Sequence, residues 1–413
     1  RSKTGRVGAF TRDRKLTFND LLVFIIRCGK KSLQRELDSF YKEVMQSEFK
    51  VRKVTKGALS TARKNLKPEA FEEMLDNVNQ TFYTQAPYWQ WKGFRLMGVD
   101  GTRLMLPNHP TVVEEFGEHS FGPNADSKRS MALASMMYDV LNLVTVDAQL
   151  APYSSSERDL LYNHLSKAKK GDLLLMDRGY PSIALLFLLM AQGVDFCIRM
   201  KEDWWLSVKE FAESSDKERI VRFKLPHKDR KILKEYPEYI DKEIECRLVC
   251  VTLENGDKEI LCTSLTDTQK YPHEDFAELY HLRWNEEEGY KLFKARAEIE
   301  CFTGKTALAV KQDFFARMFA MSYCAILAFP IEEKVRNEYN EEKNKYAQKI
   351  NRTESLSMFR DISIGLLLKK KVKEALLAFD SIVANTREII RPGRKFKRKK
   401  RPKKLHYMNY KDL

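Results

Sequence analysis

The chain has 413 residues, and 43% of them are hydrophobic, which allows a sizeable core and excludes a chain that is disordered throughout. Its 73 lysines and arginines outnumber its 58 aspartates and glutamates, so the formal net charge is +15. A fold does not require such an excess of cations. It predicts a polyanionic partner, with nucleic acid as the first candidate and an anionic membrane surface as the second.

Neither a membrane span nor a secretory signal is evident in the sequence. The most apolar runs are Ile183–Ala191, which is too short to cross a bilayer, and 314–330, which is also short and carries Arg317. The seven cysteines form no zinc-type CxxC pair, and an odd number in a large chain is typical of a reducing compartment. We therefore expect a cytoplasmic protein.

Residues 1–90 have a helical and basic pattern. Pro68 suits the first turn of one helix, and apolar residues recur at helical spacing in three segments before it: Phe18–Cys28, Ser32–Val44 and Ala58–Leu66. The last of these places Arg63 and Lys64 beside small hydroxyl residues, which resembles the third member of a helix-turn-helix. The pattern predicts a DNA-binding domain, and an ordinary helical domain with a basic surface is the alternative.

From residue 94 onward the apolar pattern becomes that of strands. One buried strand ends at Asp100-Gly101-Thr102, and a second ends at Asp177-Arg178-Gly179-Tyr180. Two apolar runs joined by a turn lie between these motifs and read as an antiparallel pair, and a helix and a further strand follow the second motif: Met131–Tyr138, Leu143–Val146, Ser182–Gln192 and Val194–Met200. Antiparallel strands followed by alternating strand and helix predict an α/β fold with a mixed sheet.

The stretch 201–265 departs from that alternation. Two strand-like runs flank Asn255-Gly256, which is a strong hairpin signal, and Trp204 and Trp205 lie near the start of the stretch. This pattern predicts a β-rich insertion within the mixed-sheet core.

Helical patterns and then a basic tail follow. Ten of the 14 residues from Arg391 to Lys404 are lysine or arginine, which suits contact with phosphates, although solubility alone would also explain them. We expect six segments: a helical DNA-binding domain (1–90), the first part of a catalytic core (91–200), the β-rich insertion (201–265), the second part of the core (266–330), a helical C-terminal region (331–390) and the basic tail (391–413).

Asp100 and Asp177 each follow a buried apolar run and precede a turn that contains glycine. Ligands of sheet-and-helix folds gather outside the ends of strands, so an aspartate at this place suits a metal ion. Taken singly, either aspartate could instead be a turn residue bonded to its own backbone, which is the commoner use. Asp147, which follows another apolar run, is a competing candidate.

The segment Asp275–Arg296 contains no proline and predicts one helix of about six turns. One narrow stripe of this helix holds four residues at offsets of 0, 3, 7 and 14: Tyr280, Arg283, Glu287 and Lys294. Of the three consecutive acids, only Glu287 shares this stripe. Glu286 is expected to turn toward the apolar side of the helix, and Glu288 is expected to turn away from the stripe. A surface helix with ion pairs is the alternative.

Asp100, Asp177 and Glu287 together supply three carboxylates without histidine or cysteine. Hard oxygen donors of this kind select Mg²⁺ or Mn²⁺ rather than zinc. Two such ions can activate a water or a 3′-hydroxyl and stabilise the leaving oxygen of a phosphodiester. A carboxylate beside arginine and lysine also suits a site that handles a metal and phosphates together.

These residues resemble the motifs of a known family. The motif at Asp100 resembles the first catalytic aspartate motif of the DDE transposases of the insertion-sequence-four type, and the motif at Asp177 resembles the second. The β-rich insertion also agrees with that family, and the resemblance covers about residues 90–330. The family's YREK signature is matched in residue type and in all three gaps by Tyr280-x2-Arg283-x3-Glu287-x6-Lys294.

The resemblance implies a ribonuclease-H-like core with catalytic acids on its first and fourth strands and on the late helix. By position, Mg²⁺, or Mn²⁺ in its place, would be held by Asp100, Asp177 and Glu287. Phosphates near the cut would be contacted by Tyr280, Arg283 and Lys294. Relatives often stack a flipped base on an aromatic ring, and the candidates, each of which would otherwise be a packed aromatic, are Trp204, Trp205 and Trp284.

The resemblance also implies a function. A transposase of this kind binds the terminal inverted repeats of double-stranded DNA, cleaves the ends by two-metal hydrolysis and joins the 3′-hydroxyls to target DNA. It would act as a homodimer in a synaptic complex, in the bacterial cytoplasm at the nucleoid and without a membrane. Two alternatives are a nuclease of the same core that does not join strands and a non-catalytic DNA-binding protein derived from a transposase. A basic membrane-surface protein is a weaker alternative, because the chain lacks the amphipathic cationic helix that it would need.

Overall fold

In the computed structural model of the protein, the described residues are 9–11, 14–27, 29, 32–121, 127–252, 256–339 and 345–391. Within these ranges, four residues are described by their backbone alone: Phe121, Ser127, Glu287 and Ala295. Contacts divide the chain into two units. The helical unit comprises Arg1–Ala86, Leu104–Ala132 and Lys291–Leu413, and the sheet unit comprises Pro87–Arg103 and Leu133–Tyr290.

Four helices come first in the described chain: α1 Phe18–Arg27, α2 Leu33–Val44, α3 Lys56–Arg63 and α4 Glu69–Gln85. The Thr55 hydroxyl starts α3 by accepting a hydrogen bond from the Ala58 amide at 3.2 Å, and Pro68 stands directly before α4 as the sequence predicts. The first helix was expected to reach Cys28, which lies outside the described residues.

Strands and short helices follow: β1 Arg95–Met105, α5 Pro110–Phe116, β2 Glu118–Phe121, β3 Ser127–Asp139, β4 Val144–Pro152, α6 Glu157–His164, β5 Asp172–Met176, α7 Ile183–Ala191, β6 Asp195–Arg199, α8 Leu206–Ala212, β7 Glu218–Lys224, β8 Glu243–Thr252 and β9 Lys258–Thr263. The chain then returns to helices, with two short strands among them: α9 Asp275–His281, α10 Trp284–Lys291, α11 Ala307–Asn337, β10 Gln348–Ile350, α12 Arg352–Leu367, α13 Val372–Asn385 and β11 Arg387–Ile389.

The sheet unit is built on a mixed sheet with the strand order β4–β3–β1–β5–β6–β9–β8–β7. β1, β5 and β6 are parallel neighbours, whereas β6, β9, β8 and β7 pair antiparallel in turn. The turn between β3 and β4 is closed by Asp139, whose Oδ1 accepts hydrogen bonds from the Leu141 and Asn142 amides at 3.1 and 3.0 Å. The order β4–β3–β1–β5–β6 is that of a ribonuclease-H-like core, so the predicted mixed α/β fold is confirmed.

The predicted β-rich stretch is present but does not stand apart from the core. β9 pairs antiparallel with β6, with Cys197 opposite Thr263, and β8 and β7 then extend the same sheet. The hairpin between β8 and β9 forms where Asn255-Gly256 predicts it, since Thr252 is opposite Lys258, although Asn255 itself lies outside the described residues. The stretch 201–265 therefore widens the core sheet.

The N-terminal helices share one hydrophobic core with the C-terminal helices. Buried apolar side chains from both ends of the chain pack together in the helical unit, among them Leu21, Phe40, Phe71, Phe319, Phe359 and Phe379. The segments 1–90 and 331–390, which the sequence suggested were separate, thus contribute to a common core. A DNA-binding role for the first of them stays a prediction.

Helix α11 runs through the expected boundary at residue 330. It carries Pro330 in its interior, and Glu332 is buried and accepts a hydrogen bond from the Ile350 amide at 3.1 Å. By length and composition α11 could cross a membrane, but 72% of its most apolar window is buried inside the protein, as in the central helix of a folded core. Its apolar residues are therefore used for packing.

The segment Asp275–Arg296 is not the single helix that its sequence predicts. α9 ends at His281, α10 begins at Trp284, and a π-helix, Leu292–Arg296, follows. Around the break the amide-to-carbonyl bonds span three residues, as in Arg283 to Tyr280 at 3.2 Å and Glu286 to Arg283 at 3.0 Å. Because three-residue turns advance the chain by about 120° per residue, a uniform helical wheel does not apply here.

Candidate active site

Asp100 and Asp177 lie side by side on neighbouring parallel strands. Val99 of β1 is opposite Met176 of β5, and each aspartate is the next residue along the chain, Asp100 within β1 and Asp177 directly after the end of β5. Neighbouring strands lie about 4.8 Å apart. At the other end of this pairing the Arg95 guanidinium makes a buried bidentate ion pair with Asp172, at 2.7 and 2.8 Å. The ion pair fixes the register that aligns the two acids.

The surroundings of Asp100 disfavour its charge. β1 continues past the expected end at Thr102 to Met105, and burial falls at Asp100, which is half-buried after five buried residues. Burial is the main cause that raises the pKa of Asp100 to about 6, and the carboxylates of Glu157 and Asp177 act in the same direction. The Gly101 amide, which donates to Asp100 Oδ1 at 2.8 Å, and the Arg283 guanidinium oppose the rise.

Asp177 presents a carboxylate oxygen that suits a cation. Its Oδ1 is buried and has no hydrogen-bond partner among the described residues. A buried carboxylate oxygen is costly unless a donor or a metal ion satisfies it, so Asp177 fits the all-oxygen metal site that the sequence predicts. Three acids, histidines or cysteines close enough to share one ion are not found among the described side chains, to which Glu287 does not belong.

Tyr280 and Arg283 are buried beside the two aspartates. The Tyr280 hydroxyl donates to the carbonyl of Met176, the residue before Asp177, at 3.4 Å. The Arg283 guanidinium lies 5.6 Å from the centroid of the Tyr280 ring. Burial acts to lower the pKa of Arg283, but Tyr280 and the carboxylates of Asp177, Glu286 and Asp100 outweigh it, so the pKa is raised and the cation is firmly charged.

Glu286 faces the same site, contrary to the helical-wheel expectation that Glu287 alone of the three acids shares the Arg283 stripe. Glu286 is fully buried, and a Cβ added to Gly98 of β1 would lie 2.5 Å from its Oε2. The three-residue turns around the helix break bring Glu286 to the side of Arg283. The side chain of Glu287 lies outside the described residues, so its role as third acid stays a prediction.

Lys294, the last residue of the signature, lies in the π-helix of the helical unit. Desolvation lowers its pKa and the carboxylate of Glu300 acts against this. A nearby phosphate favours the charged form of a lysine, so a pKa lowered by desolvation does not prevent phosphate binding.

The three tryptophans differ in their availability to a partner. Trp204 and Trp284 are exposed, at 40% and 45%, and a cation lies over each ring, Lys201 Nζ at 4.7 Å and the Arg283 guanidinium at 5.8 Å. Trp205 packs edge-on against Phe223 at the start of α8. Trp204 and Trp284 are therefore better placed to stack on a base than Trp205.

The predicted DNA-binding helix α3 does not present Arg63 to a partner. Arg63 is buried and binds Asp313 of α11 at 2.8 Å, the Ala309 carbonyl at 3.0 Å and Gln312 Oε1 at 2.7 Å. Lys64 is exposed. Arg63 thus holds α3 onto the core and is not exposed, while the resemblance of this segment to a helix-turn-helix stays a prediction.

Sequence reasoning missed the groups that support Asp100. Its backbone carbonyl accepts hydrogen bonds from the Tyr290 hydroxyl at 2.6 Å and the Ser135 hydroxyl at 3.2 Å. His164 Nε2 lies 3.0 Å from the Ser135 hydroxyl, and Asp147, the competing ligand candidate, binds His164 Nδ1 at 2.6 Å. Only the alternation of β3 could have indicated that Ser135 points inward.

The strand order defines a ribonuclease-H-like core, and Asp100 and Asp177 lie at the ends of its central strand pairing. Residues 91–324, more than half of the chain, match the family model described as a transposase DDE domain. The chain therefore belongs to the DDE transposase family, and its signature places it with the insertion-sequence-four type.

Individual transposases match the chain over part of its length. The chain is 26% identical over 271 residues to the transposase InsG for insertion sequence element IS4 of Escherichia coli (strain K12), a match that covers 65% of this chain and 60% of that protein. It is 29% identical over 107 residues to the putative transposase InsZ of the same strain, covering 25% of this chain and 34% of that protein. Both matches span less than two thirds of the relative's length.

Among solved structures, a piggyBac transposase synaptic complex with hairpin DNA is similar at a TM-score of 0.44 and 11% identity, covering 92% of this chain and 78% of that one.

Proposed function

We propose that the protein is a DNA transposase that binds the terminal inverted repeats of its element, cleaves the DNA ends and joins the free 3′-hydroxyls to target DNA. The observation that carries the proposal is the position of Asp100 and Asp177 directly after the paired residues Val99 and Met176 of adjacent parallel strands, in a chain of the DDE transposase family. The excess of cations, +15 overall, supports a nucleic-acid partner.

Asp100, Asp177 and Glu287 would hold the divalent metal, with Mg²⁺ as the physiological ion and Mn²⁺ as a substitute. When bound, the metal supplies an activated oxygen nucleophile and neutralises charge on the leaving oxygen. The buried Asp177 Oδ1, an oxygen donor without a hydrogen-bond partner among the described residues, supports the assignment.

The other signature residues would hold the DNA backbone. Arg283 is charged and pre-oriented between the Tyr280 and Trp284 rings, so it can bind a phosphate oxygen without ordering a free side chain. Lys294 would hold a second phosphate, and Trp204 or Trp284 would stack on a base extruded at the cut. The protein would act as a homodimer on double-stranded DNA at the bacterial nucleoid.

Strand joining tests this function against its nearest rival. Donor DNA that carries the inverted repeats flanking the gene is incubated with the protein, a target plasmid and Mg²⁺. We expect cut ends and joined product. Cut ends that never join would favour a metal-dependent nuclease of the same core, and binding without cleavage would favour a non-catalytic DNA-binding protein.

Substitution of the acids tests the site. Asp100→Asn, Asp177→Asn and Glu287→Gln should each reduce cleavage by at least about 100-fold, because each removes a charged metal ligand. Glu288→Gln, at the exposed neighbouring acid of α10, is the matched control and should retain cleavage. Cleavage that persists in each of the three single variants would overturn the assignment of these acids as metal ligands.

A further inference from the structure

Glu157 lies against the first acid motif although it belongs to none of the signature motifs. It occupies the first turn of α6, which begins after the N-cap Ser156. A Cβ added to Gly101, the residue after Asp100, would lie 2.7 Å from both Cγ and Oε1 of Glu157. The missing side chain at Gly101 therefore provides the space in which the Glu157 carboxylate approaches β1.

The same helix turn is tied to the second acid motif. Arg158 Nη2 donates a hydrogen bond to the carbonyl of Gly179 at 3.1 Å, and Gly179 follows Asp177 by two residues. Contacts of two consecutive residues, Glu157 on Gly101 and Arg158 on Gly179, thus hold the start of α6 between the two motifs.

Glu157 and Asp177 are the two carboxylates that act to raise the pKa of Asp100. After burial, Glu157 is the largest of the carboxylate influences that raise the pKa of Asp100, ahead of Asp177. Glu157 is itself exposed, so its carboxylate is open to solvent. Arg283 is the cation that opposes these carboxylates at Asp100.

The buried hydroxyl of Tyr180 points to a further ligand at this place. Tyr180 is 1% exposed and its hydroxyl has no hydrogen-bond partner among the described residues. Burial is the main cause that raises its pKa, and the next causes are the carboxylates of Asp100, Glu157, Glu286 and Asp177. A buried hydroxyl without a partner is costly, and an oxygen ligand carried by a bound cation would satisfy it.

We propose that Glu157 is a fourth carboxylate of the divalent-metal site, placed beside Asp100 through the gap at Gly101 and held there by the anchored start of α6. The inference rests on the proposed function, because it concerns the metal that Asp100 and Asp177 would hold. Its ligand is a hard divalent cation such as Mg²⁺ or Mn²⁺, since every donor is an oxygen.

Mn²⁺ binding to the full-length protein tests the proposal without measuring activity. Bound Mn²⁺ is followed by water-proton relaxation, with the free ion measured by its electron paramagnetic resonance signal. Glu157→Gln should weaken binding by about 10-fold or more, as loss of a supporting carboxylate does at other metal sites. Asp159→Asn, on the same exposed first turn of α6, is the matched control for the general effect of charge and should change affinity less than about twofold.

A second variant keeps all carboxylates and moves one. Gly101→Ala introduces a methyl group into the space that the Glu157 carboxylate occupies, so it should weaken Mn²⁺ binding to a similar extent. In the double variant Gly101→Ala/Glu157→Gln the losses should not add, because both act through one contact. The single variant Gly101→Ala also tests the proposal if Glu157→Gln does not fold.

The outcomes separate this inference from the proposed function. Wild-type Mn²⁺ affinity in Glu157→Gln, with loss of binding in Asp100→Asn, would overturn the role of Glu157 and leave the metal site standing. Unchanged affinity in both variants would overturn the metal site itself. Additive losses in the double variant would also overturn the inference, since Gly101 and Glu157 would then act separately.

Discussion

Asp100 is fixed through its backbone as well as through its side chain. The Ser135 hydroxyl lies 3.2 Å from the Asp100 carbonyl and 3.0 Å from His164 Nε2, so it links the strand to the imidazole ring. Asp147 orients the ring from the other side at 2.6 Å. This buried chain of polar groups, together with the Tyr290 hydroxyl, resists movement of the strand that carries the acid.

Ser135→Ala should destabilise the protein by about 1–3 kcal/mol, because it leaves the fully buried His164 Nε2 and part of the Asp100 carbonyl without a partner. Urea unfolding of the metal-free protein measures the change. Ser166→Ala, at an exposed serine just after α6, is the control and should change stability by less than about 0.5 kcal/mol. Equal stability of the two variants would show that these buried polar groups do not support β1.

Asp38 of α2 contributes to the stability of the folded protein, and the direction in which this contribution changes with pH is defined. Hydrogen bonds from Arg52, at 2.9 Å, and from Gln34, at 2.8 Å, outweigh burial and lower its pKa below 3.8. A lowered folded-state pKa stabilises the protein above the unfolded pKa, and this contribution is lost as the pH falls through the folded value.

Asp38→Asn should therefore lower the urea midpoint at pH 7, and the difference from the wild type should narrow toward pH 3. Glu210→Gln, at an exposed acid of α8, should show no such narrowing. A difference that is constant with pH would mean that Asp38 acts through packing and not through its charge.

At the scale of elements, the attachment of α3 to α11 depends on one buried ion pair. Arg63 and Asp313 are almost fully buried, at 7% and 0% side-chain exposure. Arg63→Ala should cost about 3–5 kcal/mol in urea unfolding, because it leaves the Asp313 charge buried and uncompensated. Lys64→Ala, at the exposed next residue, should stay within about 0.5 kcal/mol.

Replacing both partners shows how much the intact ion pair contributes to the free energy of unfolding, separately from the destabilisation caused by leaving one charge unpaired. Arg63→Met/Asp313→Leu should recover most of the stability that Arg63→Ala loses, since a buried ion pair contributes little beyond an apolar pair of similar volume. A double variant no more stable than Arg63→Ala would show that the other hydrogen bonds dominate, those of Arg63 to Gln312 and Ala309 and those of Thr303 to Asp313.

The elements differ in how far the sequence predicts them. The paired strands β1 and β5 follow from apolar runs that end in acids, because strand length and burial are local properties. The break between α9 and α10 does not follow, since three-residue bonding around Arg283 leaves no mark in residue type. The burial of Arg63 was equally hidden, because its partner Asp313 lies 250 residues away and local pattern cannot identify it.

At the scale of the whole molecule, the helical unit draws its core from both ends of the chain, with residues such as Phe40 and Phe359 in one cluster. The N-terminal helices therefore depend on α11–α13 for burial of their apolar faces, and a role in DNA binding has to be tested in the full-length protein. The positive charge of the molecule offers such a test, because its effect on DNA binding depends on salt.

The basic block from Arg391 to Lys404 is expected to contact DNA phosphates, and its residues beyond 391 lie outside the described residues. Each phosphate contact contributes about 0.9 to the slope of log K against log salt concentration. Deletion of residues 391–413 should therefore lower that slope by at least about 3 with non-specific duplex DNA, measured by fluorescence anisotropy. A tail of equal length with glutamine at the ten cationic positions should behave like the deletion, because charge and not length is responsible. An unchanged slope with reduced solubility would assign the block to solubility alone.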